Sequence, residues 1–142
     1  MHPEFWGPSG WKFLHSVTFQ YPIKPNVNDK AHYKEFFNSL KHTLPCEKCA
    51  YHYTAHLRKF PIDSALETRE TLVRWLINVH NEVNKSLGKR EYFYEEVIDI
   101  YKDEMDGVLG RVSFTNTLLL IIILVFLYLL ITGRIRITQN IY

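Results

Sequence analysis

Between Val112 and Thr132 the chain carries no charged residue, and its centre reads LLLIIILVFLYLL from Leu118 to Leu130. A helix needs about 20 apolar residues to cross the roughly 30 Å hydrocarbon core of a bilayer. This segment has that length, with Arg111 before it and Arg134 and Arg136 after it. The competing reading is a buried helix in a soluble core, and length and hydropathy favour the span. So close to the C-terminus, it reads as a tail anchor over 111–133 with a short basic tail over 134–142. Lys102 and Arg111 balance Arg134 and Arg136, so basic residues do not set the orientation. The opening MHPEFWGPSG has neither the basic nor the apolar region of a signal peptide. The expectation is an N-terminal domain on the cytosolic side, held to a membrane through residues 112–132.

Residues 1–110 hold 14 Lys/Arg and 15 Asp/Glu, a formal −1. That excludes the basic stripe of a nucleic-acid-binding domain, so no nucleic acid is expected as partner. Helical periodicity recurs instead. A first helix is predicted over Ser9–Gln20, with Trp11, Phe13, Leu14 and Val17 apolar, ending at Tyr21-Pro22. A second runs from Asn28 to Leu44, capped by Asn28 or Asp29, with Tyr33, Phe36, Phe37, Leu40 and Leu44 at helical spacing. A third spans Cys46–Phe60 and stops before Pro61. Ser64-Ala-Leu-Glu67 matches a capping box for the fourth, whose apolar face includes Leu66, Val73, Leu76, Val79, His80, Val83 and Leu87, with Gly88 closing it. A fifth runs from Glu91 to Asp106. Five short helices with brief connections imply an all-α bundle. At this size a bound cofactor or a second subunit is a useful source of stability.

Both cysteines fall in one motif, Pro45-Cys46-Glu47-Lys48-Cys49. Three readings compete. A redox pair would gain from a helix N-terminus and from Lys48, which both favour the thiolate. A zinc site would join Cys46 and Cys49 to His52 and His56, although all four would lie along one short helix rather than across a loop. The third is two inert buried thiols. The βαβ pattern of a thioredoxin fold is absent.

On the fourth helix His80 and Asn84 share a face, as do Asn81 and Lys85. Asn is a poor choice inside a helix, so two of them beside a His suggest a ligand's hydrogen-bonding edge as readily as a solvated face. Trp11 and His15 pair in the same way on the first helix, in a core or around a planar ligand. Tyr21, Tyr51, Tyr53 and Tyr101 add rings able to clamp a flat heterocycle. No glycine-rich phosphate loop is present, so a nucleotide cofactor would have to be held by helix faces.

In this order, Gly7-x3-Trp11-x3-His15 with Tyr21-Pro22, then Leu44-Pro-Cys-Glu-Lys-Cys-Ala-Tyr-His52, then Trp75-Leu76-x2-His80-Asn-Glu-Val-Asn84 and Leu87-Gly-Lys89 resemble the Erv/ALR family of FAD-dependent sulfhydryl oxidases, over roughly residues 5–106. The resemblance implies a four-helix bundle with a short crossing fifth helix, followed here by the transmembrane helix. It implies FAD as cofactor and no metal. It makes Cys46 the thiol that exchanges with substrate and Cys49 the one that passes electrons to the flavin, and from there to dioxygen with release of hydrogen peroxide. Gly7, Trp11, His15, Tyr21, His80, Asn81, Asn84 and Lys85 match flavin-site positions. Val83 and Lys89 fall in the same stretch, Tyr101 stands near the expected adenine end, and His52 matches a position some members use.

Three departures from the family pattern are visible. The second disulfide of many members is missing, with Ile77 at one of its positions and residues 58–60 around the other. The distal shuttle cysteine pair is absent, so a thiol-containing protein, such as a thioredoxin-like carrier, would reach Cys46 directly. Pro8 replaces an Arg common after the first glycine. The short, tethered form is similar to the oxidases of large cytoplasmic DNA viruses, which makes a viral membrane and a homodimer further expectations. The alternative is a tail-anchored, zinc-stabilised helical interaction module.

Overall fold

Prolines punctuate the chain, and the helices lie between them. The computed structural model describes residues 1–133, and among these there is no strand. The helices are α1 (Pro3–Phe19), α2 (Val27–Thr43), α3 (Glu47–Lys59), α4 (Arg69–Ser86) and α5 (Tyr94–Ile131), with a short 3-10 segment at Ile62–Glu67 between α3 and α4. The basic tail expected at 134–142 lies outside the described residues.

Local chemistry explains most ends. Pro3 occupies the first turn of α1, where its missing N–H is harmless, so the helix begins six residues earlier than expected and carries Pro8 inside it. Asn26, rather than Asn28 or Asp29, caps α2. Its side chain accepts from the N–H groups of Asn28 and Asp29, and Asp29 accepts from the Asn26 N–H. The cap of α4 is also displaced. Ser64 and Glu67 lie within the 3-10 segment, and Thr68 and Thr71 form the reciprocal box. After Ser86 the chain closes through a full Schellman motif. Gly88, at φ +66°, donates to the Lys85 carbonyl, and Lys89 donates to the Asn84 carbonyl.

Residues Met1–Val97 form one compact unit and a second begins at Ile98. In the first, α4 packs against α1, α3 and the 3-10 segment, and α2 packs against α3 and that segment. Tyr21, Phe37, Leu72, Leu76 and Val79 are fully buried at the centre. Phe37 meets Trp75 edge-on, with ring centroids 5.0 Å apart. Side-chain donors converge on the α3–α4 connection. Trp75 Nε1 donates to the Phe60 carbonyl at 2.9 Å, Tyr21 Oη to Leu66 at 2.9 Å, and Thr71 Oγ1 to Ala65 at 2.8 Å. Three carbonyls that would otherwise lie unpaired near the core are thereby satisfied. Lys59 and Glu82 add an ion pair between α3 and α4 at 2.7 Å.

The expected fifth helix and the apolar span fall within one helix, Tyr94–Ile131. Gly107 and Gly110 do not interrupt it, since a lone glycine costs a helix only about 1 kcal/mol. The most apolar window of α5 is wholly unburied, and the helix is long and apolar enough to cross a membrane. Thr115 and Thr117 return their hydroxyls to the carbonyls of Arg111 and Ser113. Such internal bonding suits a hydrocarbon surrounding.

Candidate active site

Pro45 ends the approach to α3, and Cys46 takes extended geometry as its N-cap, at φ −149° and ψ 110°. Its Sγ accepts the N–H of Cys49 at 3.2 Å and is bonded to the Cys49 sulfur. Both residues are half-buried. One sulfur thus serves as helix cap and disulfide partner. This geometry overturns the inert-thiol reading. The two sulfurs are set on each other rather than on His52 and His56. His52 is exposed beside Tyr51, and His56 is turned toward Glu82, with burial pulling its pKa down. Among the described residues no three His, Cys, Asp or Glu side chains are grouped to hold a metal.

The second cluster is built where α1 meets α4. His15 Nε2 and His80 Nδ1 share a hydrogen bond at 3.1 Å. Trp11 lies flat on His80, with centroids 3.9 Å apart and planes at 7°. His15 is nearly wholly buried, whereas Trp11 and His80 are half-buried and keep surface open to a ligand. Burial pushes the His15 pKa down to about 3, helped by His80, and that of His80 down to about 4, helped by Lys89. Both rings are therefore neutral at pH 7. The Schellman turn returns Lys89 to the neighbourhood of His80, a relation invisible in linear spacing.

The two asparagines differ. Asn81 donates through Nδ2 to the Tyr92 carbonyl at 2.8 Å and accepts the Tyr92 N–H at 3.0 Å. Its amide therefore clamps the loop between α4 and α5. Asn84 is buried below the turn whose carbonyl cap it supplies. Tyr21 is fully buried, donates its hydroxyl to the Leu66 carbonyl and packs its ring on Tyr33 at 4.5 Å. Val83 is half-buried on α4, Lys85 is exposed on the last turn, and His52 is exposed on α3. Gly7 has open space where a Cβ would stand. Tyr101 belongs to the second unit. Sequence reasoning missed Trp6, whose buried Nε1 has no hydrogen-bond partner among the described residues, beside Gly7 in the chain. It also missed Tyr92, which has no motif of its own.

The two clusters are related through the α3–α4 hairpin. At the closed end the Phe60 carbonyl meets Trp75. Back along α3, His56 and Lys59 meet Glu82, further on along α4. The helices are thus antiparallel, and the N-terminus of α3, with its disulfide, points toward the half of α4 that carries His80 to Lys85.

The profile of the Erv1 / Alr family matches residues 8–102. The chain belongs to that family. It is 48% identical over 100 residues to a protein named a probable FAD-linked sulfhydryl oxidase of Acanthamoeba polyphaga mimivirus, covering 70% of each chain. It is 40% identical over 91 residues to the FAD-linked sulfhydryl oxidase ERV1 of Arabidopsis thaliana, covering 64% of this chain but only 47% of that relative. Its fold is similar to the crystal structure of the FAD binding domain of Erv1 from Saccharomyces cerevisiae, with a TM-score of 0.62 and 38% identity over 66% of this chain and 87% of that one. The matched span agrees with the Erv/ALR motifs read from the sequence.

Proposed function

We propose that this Erv1 / Alr chain is a membrane-tethered, FAD-dependent thiol oxidase that forms disulfide bonds in partner proteins. The observation that carries this reading is a Cys-x-x-Cys disulfide capping α3 in a bundle whose relatives are named FAD-linked sulfhydryl oxidases.

The residues present fit a flavin dinucleotide. Trp11 and His80 offer flat, partly open rings. Lys89 forms no ion pair with a carboxylate among the described residues, and with Lys85, which lies near Glu82, it would meet a diphosphate, in place of the Arg that is Pro8 here. Trp6 Nε1 is a buried donor still to be matched, and Gly7 leaves room beside it. We assign Gly7, Trp11, His80, Val83, Asn84, Lys85 and Lys89 to the cofactor, with His15 and Asn81 holding those groups in place, and His52 as an outlying contact. When bound, FAD supplies a two-electron acceptor that can be reoxidised by dioxygen to give hydrogen peroxide.

The chain's own part is thiol–disulfide exchange. A partner thiolate attacks Sγ of Cys46. The Cys46–Cys49 bond breaks, a mixed disulfide forms, and Cys49 leaves as thiolate. The partner's second thiolate then attacks its own sulfur in the mixed disulfide, which closes the partner's disulfide and releases Cys46. The partner has lost two electrons and two protons, and the cysteine pair holds the electrons for transfer through Cys49. The N–H of Cys49 and the positive end of α3 stabilise the Cys46 thiolate as it departs. With two cysteines in the chain, the partner reaches Cys46 without a shuttle, and a thioredoxin-like carrier suits that role. The exposed Phe13, edge-on to Phe36 at 6.3 Å, supports a second copy as partner. The apolar length of α5 supports a membrane anchor, and the likeness to the mimivirus protein supports a viral membrane as its setting, with the domain of residues 1–110 on the cytosolic side as part of the same reading.

The test uses the full chain in detergent, loaded with FAD. Dithiothreitol should bleach the flavin anaerobically and yield peroxide in air. Cys46→Ser should stop turnover with protein thiols, and Cys49→Ser should block flavin reduction. A chain that takes up no FAD, or a Cys49→Ser protein that oxidises dithiothreitol at the normal rate, would sink the reading.

A further inference from the structure

The charge of the folded domain is unevenly placed. Residues 41–59 hold four Lys/Arg and one Glu, a formal +3, while the rest of 1–110 holds ten against fourteen, a formal −4. The positive segment is the one that contains the disulfide. Elsewhere the acidic residues outnumber the cations, and Lys30 pairs with Glu67, Lys34 with Asp63, Arg74 with Glu70 and Arg90 with Glu96. Around the disulfide, Lys59 alone has a carboxylate partner, while Lys41, Lys48 and Arg58 have none among the described residues. Lys48 and Arg58 are exposed. With Tyr51, His52 and Ala55 they recur at helical spacing, so they form one outward stripe along α3 that starts between the two cysteines. Lys41 lies in the last turn of α2, just before the Leu44-Pro45 connection. Tyr51 is 75% exposed within the stripe, a large aromatic surface that no core contact explains.

We infer that the stripe is the docking face for the thiol substrate of the proposed oxidase, and that it selects a partner whose cysteine pair is flanked by acidic residues. This rests on the oxidase reading and names the chemistry of its partner. From Cys46 to Arg58 the helix rises about 18 Å, well within the footprint of a protein partner. Unpaired cations on such a face attract an acidic partner and raise its rate of productive encounter, while the exposed ring gives it an apolar anchor. Lys48 also lies within the exchange motif itself, so the variants that test docking are Lys41→Glu and Arg58→Glu.

The experiment measures oxidation rates of the FAD-loaded full chain in detergent, with three reductants: dithiothreitol, and two Cys-x-x-Cys peptides of about twelve residues flanked by Glu or by Lys. The acidic peptide should exceed the basic one in kcat/KM by at least about tenfold at low salt, mainly through KM. The difference should collapse near 1 M salt, where charges are screened within about 3 Å. The Lys41→Glu/Arg58→Glu double variant should lose or invert the preference and leave dithiothreitol turnover unchanged. Equal peptide rates at low salt, with dithiothreitol oxidised normally, would overturn the docking face alone. A preference that survives the double variant would also overturn it, as would cations that respond to anionic lipid and not to peptide charge. Failure to oxidise dithiothreitol would remove the oxidase reading, and this proposal with it.

Discussion

Two histidines show how much burial changes a residue. His15 and His80 have folded pKa values near 3 and 4, well below the usual value of about 6.5. Well above pH 6.5 both are neutral whether folded or not, and there the pair leaves stability unaffected by pH. As pH falls from about 6.5 toward 4, the unfolded chain takes up protons that the folded chain refuses, and stability is lost. The melting temperature should therefore drop across that window, and a His15→Phe/His80→Phe variant should show a flatter profile there. Asn81 makes a second residue-scale prediction. Its Ala variant loses both bonds to Tyr92 and should lower stability by about 1–3 kcal/mol, read from the denaturant midpoint. Asn81→Asp keeps only the acceptor and should fall between. The sequence marked Asn81 as unusual, but i, i+4 spacing within one helix does not show that Trp11 and His15 of α1 meet His80 of α4. The sequence had no means to show the destination of the amide, because Tyr92 is a loop residue whose backbone, not its side chain, is the partner.

The helices were mostly legible as elements, because each carries 3–4 spacing and is bounded by proline or glycine. Their ends were less so. Ser64-x-x-Glu67 has the letters of a capping box, yet Ile62, Ala65 and Leu66 are pulled into the core, and the segment tightens into a 3-10 turn. The working box uses Thr71 at the third position, a residue with less claim by pattern. At the other end Gly88 was readable, since a positive φ favours glycine. No atom lies within 4 Å of the place where its Cβ would stand, so Gly88→Ala carries a purely conformational penalty, about 1 kcal/mol. Thermal unfolding should register that loss. Flavin affinity should fall as well if Lys89 contacts the cofactor, because the same turn positions it.

For the whole chain, the apolar segment dominates the physical behaviour. α5 combines 38 residues, an unburied apolar window and internally bonded threonines. Leu124→Arg near the middle of the segment should raise the cost of insertion by about 3 kcal/mol and move the chain out of the carbonate-resistant membrane fraction. An unchanged distribution would argue against insertion of α5. The fold lacks a second disulfide, and side-chain donors from Trp75, Tyr21 and Thr71 secure the same α3–α4 connection without covalent help.

The cap at Cys46 binds folding and oxidation into one thermodynamic cycle. Its sulfur holds the end of α3 in the disulfide form, and a thiolate is a stronger acceptor for the same N–H. Whatever free energy the reduced pair gains at that cap must reappear as an equal bias toward taking electrons. For a two-electron couple, about 1.4 kcal/mol corresponds to roughly 30 mV. An oxidant built this way draws part of its driving force from the first turn of a helix, and every residue that steadies that turn also adjusts the voltage of the couple.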